Sequence, residues 1–287
     1  MRSCAFADLD QLDDDRLFRT LSRGLTLIQA NATAIVQQAA TLATQQQVTG
    51  PRILRAIGDE EAGKFLILMD AARCPRNPPG TLGRHLRKLV GVNAHLAKGI
   101  YAESSNGLMG TLGAHREWIQ EQCKAYYLDG PNDVDWIFRN QILQRREEAI
   151  YVDYVENDGD HSWWSPSRYE TGTGAAFGLD TPSRAIRLID AMVAAGMTSP
   201  EALTIIAARW RGITLSDDLQ HFRVFDLNRE TLQMLVDARL VQQQEGADYQ
   251  RIIEAWPSPL HDIDIRLSPD NQQELRERQA RWYPGPV

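Results

Sequence analysis

The sequence is short of the residues that most simple chemistries need. Its three cysteines, Cys4, Cys74 and Cys123, are odd in number, widely spaced and without a CxxC. That pattern excludes a disulfide framework and a zinc-ligand set, and it fits a reducing cytosol. No apolar run approaches the ~20 residues of a membrane span. The opening MRSCAFADLDQLDDDR is acidic and lacks the basic-then-apolar pattern of a signal peptide, so a cytoplasmic location is expected. There is no HExxH and no GxSxG. GTGAAFG lacks both a preceding strand and the GxGxxG spacing, which rejects a nucleotide-binding loop. Positive charge is scarce too. A net charge of −7 argues against non-specific nucleic-acid binding over the whole surface and leaves room only for a local basic patch. No cofactor and no metal is implied.

What the chain has in quantity is helical periodicity. At 287 residues and 43% hydrophobic content it can bury an adequate core as one large domain or two. Leu17, Leu21, Gly24, Ile28, Ile35, Ala39 and Leu42 recur at threes and fours, so 17–46 is expected as one helix, stopped by Gly50-Pro51. Asn31 falls inside that stripe, where its amide needs partners.

The stretch RILRAIGDEEAGKFLILMDAA (52–72) organises the rest. At about 100° per residue, Ile53, Ile57, Leu68 and Ala71 share a stripe with Glu61 and Lys64. A carboxylate or ammonium on a buried face is costly unless paired and hydrogen-bonded. Glu61 can pair with Lys64 three residues on, and Glu60 with Lys64 four residues on. Two readings stand: a structural ion pair beneath a helix crossing, or a polar functional centre in a helical core.

A third helix is expected over 81–103, with Leu82, Leu86, Leu89, Asn93, Leu96 and Ile100 inward. Arg84, Arg87, Gly91, His95 and Lys98 form a basic stripe opposite, which is ordinarily a solvated face. His95 stands out because histidine is the side chain whose unperturbed pKa allows proton transfer near neutrality. A helix over 115–127 and, after the turn DGPND, another over 133–154 follow. The latter's stripe is Trp136, Asn140, Leu143, Glu147, Ile150 and Tyr154, so a second helix carries an inward carboxylate. Residues 156–180 are dense in Gly, Ser, Asp and Pro and read as a loop pinned by Trp163 and Trp164. Thr181-Pro182, Ser199-Pro200 and Ser268-Pro269 signal helix starts, with helices over 182–195, 200–211, 229–244 and 269–282. HFRVFDL and HDIDIRL alone look strand-like. The expected organisation is a helical bundle over 1–156 carrying the polar motifs, a loop-rich connection over 157–180, and a C-terminal helical region over 181–287 packed on the bundle.

Three stretches in order resemble the AbiV family of bacterial abortive-infection proteins: Glu60-Glu61-Ala62-Gly63-Lys64, His95-Leu96-Ala97-Lys98, and Arg146 to Asp153. Asn31 on the first helix is similar to that family's pattern as well. The resemblance covers roughly 17–170. It implies an all-α, HEPN-like helical bundle with additional C-terminal helices, a superfamily that is commonly dimeric and includes many metal-independent ribonucleases of phage defence. The usual HEPN ribonuclease signature is an Arg and a His separated by four to six residues. This chain departs from it: Arg139-Asn140 begins such a motif without a His, and Arg87 and His95 are too far apart.

The resemblance implies an antiphage effector acting on RNA. Such a site needs an acid and a base, and cations for the phosphorane charge. His95 is the expected acid or base. Lys98, Lys64 and Arg146 are expected to stabilise the anion, and Glu61 and Glu147 to orient these groups. Tyr151 and Asp153 are expected to close the polar site, with Asn31, Asn140 and Arg87 contributing binding. A homodimer is expected. Two other readings remain open: a non-catalytic protein that binds a phage or host component, and a nucleotide sensor using the same cleft. A cleft open to solvent favours an enzyme or sensor, whereas a sealed ion-pair network favours an interaction protein.

Overall fold

The computed structural model describes residues 5–45, 47–107, 110–130, 136–157, 160–166, 181–241 and 247–282. Two long helices form its centre. α1 (Asp14–Thr44) starts where the Asp13 carboxylate accepts from the Arg16 N–H at 2.8 Å, with Asp14 and Asp15 in the first turn at the positive end of the helix dipole. α2 (Thr49–Arg73) follows after a short connection, which makes the two neighbours antiparallel. Leu17, Phe18, Leu21, Leu25, Ala32, Val36 and Ala39 are the buried seam of α1. The expected stripe was right at both ends and one residue off in the middle. There Leu25, Ala32 and Val36 turn inward, and Asn31 is exposed.

The third helix is two. α3 (Thr81–Leu86) runs into a 3-10 turn at Arg87–Leu89, and α4 (Ala94–Ser104) starts afresh. Gly91 breaks the run with a φ of 83°, and exposed Val90 and Val92 flank it. The basic stripe is therefore not continuous: Arg84 and Arg87 belong to a different segment from His95 and Lys98. α5 (Leu112–Gln122) is capped by the Thr111 hydroxyl.

The expected 133–154 helix is corrected most. Residues 131–135 lie outside the described residues. Tyr126–Leu128 (β1) and Ile137–Arg139 (β2) pair antiparallel, Tyr127 opposite Phe138. Among the described residues of that range, Gln141–Ile150 alone is helical (α6). Tyr126 and Tyr127 before the DGPND stretch, with Trp136, Ile137 and Phe138 after it, are a hairpin signal in the sequence, and it outweighed the helical period. The next segment, 153–157 (β3), pairs with 160–164 (β4), so part of the expected loop is a second hairpin. Trp164 pins this hairpin by donating to the Glu148 carbonyl at 3.3 Å, while Trp163 is exposed beside Tyr154. The GTGAAFG stretch lies outside the described residues.

The C-terminal helices are α7 (Arg184–Ala194), α8 (Pro200–Trp210), α9 (His221–Asp237), α10 (Ala247–Ala255) and α11 (Gln272–Trp282). Ser199 caps α8 ahead of Pro200, as its sequence signals. The α7 cap is Ser183 rather than Thr181, and α11 begins at Gln272, beyond Pro269, while the Ser268 hydroxyl donates to the Cys123 carbonyl at 3.3 Å. HFRVFDL opens α9 and is no strand. α4 and α6 pack on α2, α7 and α8 pack on both central helices, and one apolar core runs through them all. Among the described residues no helix is long and apolar enough to cross a membrane.

The charges that α2 buries most deeply are Asp70 and Arg73, at 0% and 1% exposure, not Glu61 and Lys64. Asp70 pairs with Arg73 and accepts from the Tyr101 hydroxyl at 2.8 Å and the Leu260 N–H at 2.9 Å. Arg73 donates to the Pro257 carbonyl at 2.9 Å and lies over Trp256, 4.4 Å from its ring centre. Burial alone would raise the Asp70 carboxyl pKa. Arg73 and the other partners outweigh it and hold it below the ordinary value. Lys88 donates to the Leu260 carbonyl at 2.6 Å. This network ties 256–260 to the floor of α2. A sequence signal existed: LILMDAAR is apolar on every side, so any charge within it is buried.

Candidate functional site

Asp59, Glu60 and Glu61 are consecutive on α2, and at 100° per residue they must leave the helix in three directions. Each meets a different neighbour. Asp59 accepts from the Ser183 hydroxyl at 2.5 Å, at the start of α7, and from Arg55 at 3.3 Å. Glu60 faces α4 and α6. Glu61 faces α1, where Asn31 donates to it at 3.2 Å, and it pairs with Lys64 along the helix.

Glu60 is the centre. Its Oε2 receives His95 Nδ1 at 2.7 Å and Lys98 Nζ at 2.9 Å, and its Oε1 receives Arg146 Nε at 2.8 Å. One carboxylate thus gathers three cationic or potentially cationic groups from two helices. Burial pushes the Glu60 carboxyl up, but Lys98 and His95 more than reverse this and hold it below the ordinary glutamate value. The contact with the carboxylate places a proton on His95 Nδ1, so that in the neutral ring the lone pair is on Nε2.

Two glycines let these helices meet. A Cβ at Gly63 would collide with the Lys98 carbonyl, and one at Gly99 would collide with the Ile142 side chain. Gly63 is therefore the reason for the glycine in the EExGK stretch: α2 and α4 touch backbone to backbone one turn from Glu60.

Beside Glu60 lies a cleft of about 320 Å³, open to solvent, between α2, α4, α6 and the start of α7. Glu60, His95 and Arg146 line it, with Arg52, Arg55 and Arg145. Its wall includes Ile142, Leu143, Ala149 and Ala185. Arg145 pairs with Glu103 at 3.1 Å. The Asp59 carboxyl is raised by burial despite Arg55 and Ser183. Among the described residues no group of three or more His, Cys, Asp or Glu could hold a metal ion.

Of the residues expected at the site, His95, Lys98 and Arg146 converge on Glu60. Glu61, Lys64 and Asn31 form a second cluster on the α1 side of the same helix, outside the cleft lining. Glu147 is not inward-facing: it is 41% exposed and pairs with Arg139 at 3.2 Å. Tyr151 and Asp153 are exposed beyond the end of α6, and Arg87 is exposed on the 3-10 turn. Asn140 caps α6, accepting from Leu143 N–H at 3.1 Å and donating to the Lys124 carbonyl at 3.0 Å. Helical spacing alone offers Glu60 only Lys64 as a partner, whereas the fold gives it His95, Lys98 and Arg146. The signal for its role was the doublet, since adjacent carboxylates on one helix cannot share a partner face.

The helices and the polar centre they enclose define an all-α, HEPN-like bundle. The AbiV family model matches residues 20–186, and the chain belongs to that family, which suggests a role in abortive infection. No curated protein and no solved structure matches the chain.

Proposed function

We propose that this protein is an abortive-infection effector that cleaves RNA without a metal, using the cleft beside Glu60. The observation that carries the reading is the Glu60–His95 contact at 2.7 Å in a cleft that Arg146 also lines. A carboxylate on Nδ1 orients the imidazole and leaves Nε2 able to accept a proton. His95 Nε2 takes the proton of a ribose 2′-hydroxyl, and that oxygen attacks the adjacent phosphorus. The bond to the 5′ oxygen breaks, the leaving oxygen takes a proton from water, and a 2′,3′-cyclic phosphate remains. Arg146 and Lys98 stabilise the charge that builds on the phosphorus oxygens. Glu60 keeps these cations in place and is a positioning residue.

Incubating the pure protein with total cellular RNA tests this. Wild type is expected to give fragments ending in 2′,3′-cyclic phosphate, and His95→Ala to slow their appearance by roughly 10²–10⁴-fold. Intact RNA with wild type, or undiminished cleavage by a folded His95→Ala protein, refutes it. We also read the protein as a homodimer. The family is the motive, two-fold dimers are the commonest soluble oligomers, and a monomer by light scattering at micromolar concentration would refute it.

A second reading, a non-catalytic protein that binds a phage or host component, draws on the exposed hairpin aromatics. Tyr154 and Trp163 are 61% and 69% exposed and lie 5.3 Å apart.

A further inference from the structure

The lining of the cleft is unevenly divided. Four guanidinium groups, from Arg52, Arg55, Arg145 and Arg146, face three carboxylates, from Asp59, Glu60 and Glu103. Lys98 adds a further positive charge through Glu60. This small surplus sits on a chain of net charge −7, so an anion meets favourable potential here against an unfavourable background. The wall formed by Ile142, Leu143 and Ala149 of α6 and Ala185 of α7 carries no charge. A ligand that satisfies both parts is anionic at one end and apolar at the other. The volume, about 320 Å³, lies at the small end of ligand pockets and suits one compact unit.

We propose that the cleft is a mononucleotide subsite: its arginines take one phosphate, and the apolar wall takes the attached base. This rests on the reading of the cleft as the RNA-acting site and specifies what enters it. A base can reach that wall only if it is unpaired and unstacked. The subsite therefore selects single-stranded RNA and also binds free nucleoside monophosphates. The Arg145–Glu103 pair at 3.1 Å is the polar contact best placed to open for the phosphate, because Arg145 is 65% exposed.

Calorimetric titration of the full chain with uridine 3′-monophosphate, adenosine 3′-monophosphate and inorganic phosphate tests the proposal. The nucleotides are expected to bind about tenfold or more tightly than phosphate, since burying part of a base is worth at least that factor. Arg145→Ala should weaken phosphate and nucleotides together, and Leu143→Ala should weaken the nucleotides alone. Equal affinity for phosphate and nucleotides, or no nucleotide binding, overturns it. So does a folded Leu143→Ala protein with unchanged nucleotide affinity. The wild-type ratio decides the matter even if Leu143→Ala fails to fold. Nucleotide binding without RNA cleavage would keep the subsite and remove the ribonuclease reading. Cleavage without nucleotide preference would do the reverse.

Discussion

Replacing Glu60 by Gln is the sharpest perturbation of the site. Glutamine keeps the shape and one acceptor oxygen, but it removes the charge on which His95, Lys98 and Arg146 converge. Lys98 and Glu60 are only 13% and 16% exposed, so the ammonium left behind cannot recover full hydration. Removing one partner from a fully buried pair costs about 3–5 kcal/mol. Here the cleft is open and Arg146 and His95 reach water, so solvent screening reduces the figure to about 2–3 kcal/mol. For a chain of this size that is about 3–5 °C in melting temperature. Thermal melts at low and high salt measure it. Activity should fall as well, because His95 loses the contact that holds its tautomer, and a Glu60→Asp protein should recover part of it. A Glu60→Gln protein that melts within 1 °C of wild type, with normal activity, would show that the carboxylate organises nothing.

Three further outcomes are expected. Gly63→Ala should destabilise by about 1–3 kcal/mol, because a methyl group must push the Lys98 backbone away, and its RNA cleavage should fall more than its melting temperature suggests. Asp70→Asn should cost about 3–5 kcal/mol in urea unfolding because it strands Arg73, whereas Asp70→Leu combined with Arg73→Met should be far milder. His85 gives a pH signature. Burial, aided by Lys88, pushes its pKa down to about 3, and its Nε2 lies 2.7 Å from the Ile67 carbonyl. The ring stays neutral in the folded protein while the unfolded chain takes up a proton below ~6.5. Stability is therefore lost as pH falls from ~6.5 toward 3, by up to about 1.4 kcal/mol per unit from this group. His85→Gln should flatten that slope, and an unchanged slope between pH 6.5 and 4.5 would refute the assignment.

Helical class and the central pair of helices were legible because their periods are long and uninterrupted. The extents of α1 and α2 need nothing beyond a helical wheel, whereas the middle of the α1 seam is turned by one residue from the wheel's stripe. Three things were hidden. Gly91 looked like a tolerated glycine within a period, but it adopts a left-handed conformation and separates Arg87 from His95. The hairpins at 126–139 and 153–164 draw on cross-strand pairing, a non-local contact that no helical count detects. The choice between Glu60 and Glu61 depended on where α4 and α6 lie around α2, which is tertiary information. Both carboxylates fit the spacing rules, and only one faces the cleft.

The bare contact between Gly63 and the Lys98 carbonyl has an evolutionary and practical consequence. Where side chains separate two helices, their spacing drifts as those side chains are exchanged. Here the spacer is peptide against peptide, a hard stop that no trimming of side chains elsewhere in the core can shorten. Position 63 accepts no side chain without moving the Lys98 backbone, and with it the helix that carries His95. A grafted or redesigned version of this site would have to carry both helices and their glycine together, since copying the charged residues alone would leave them without a fixed separation.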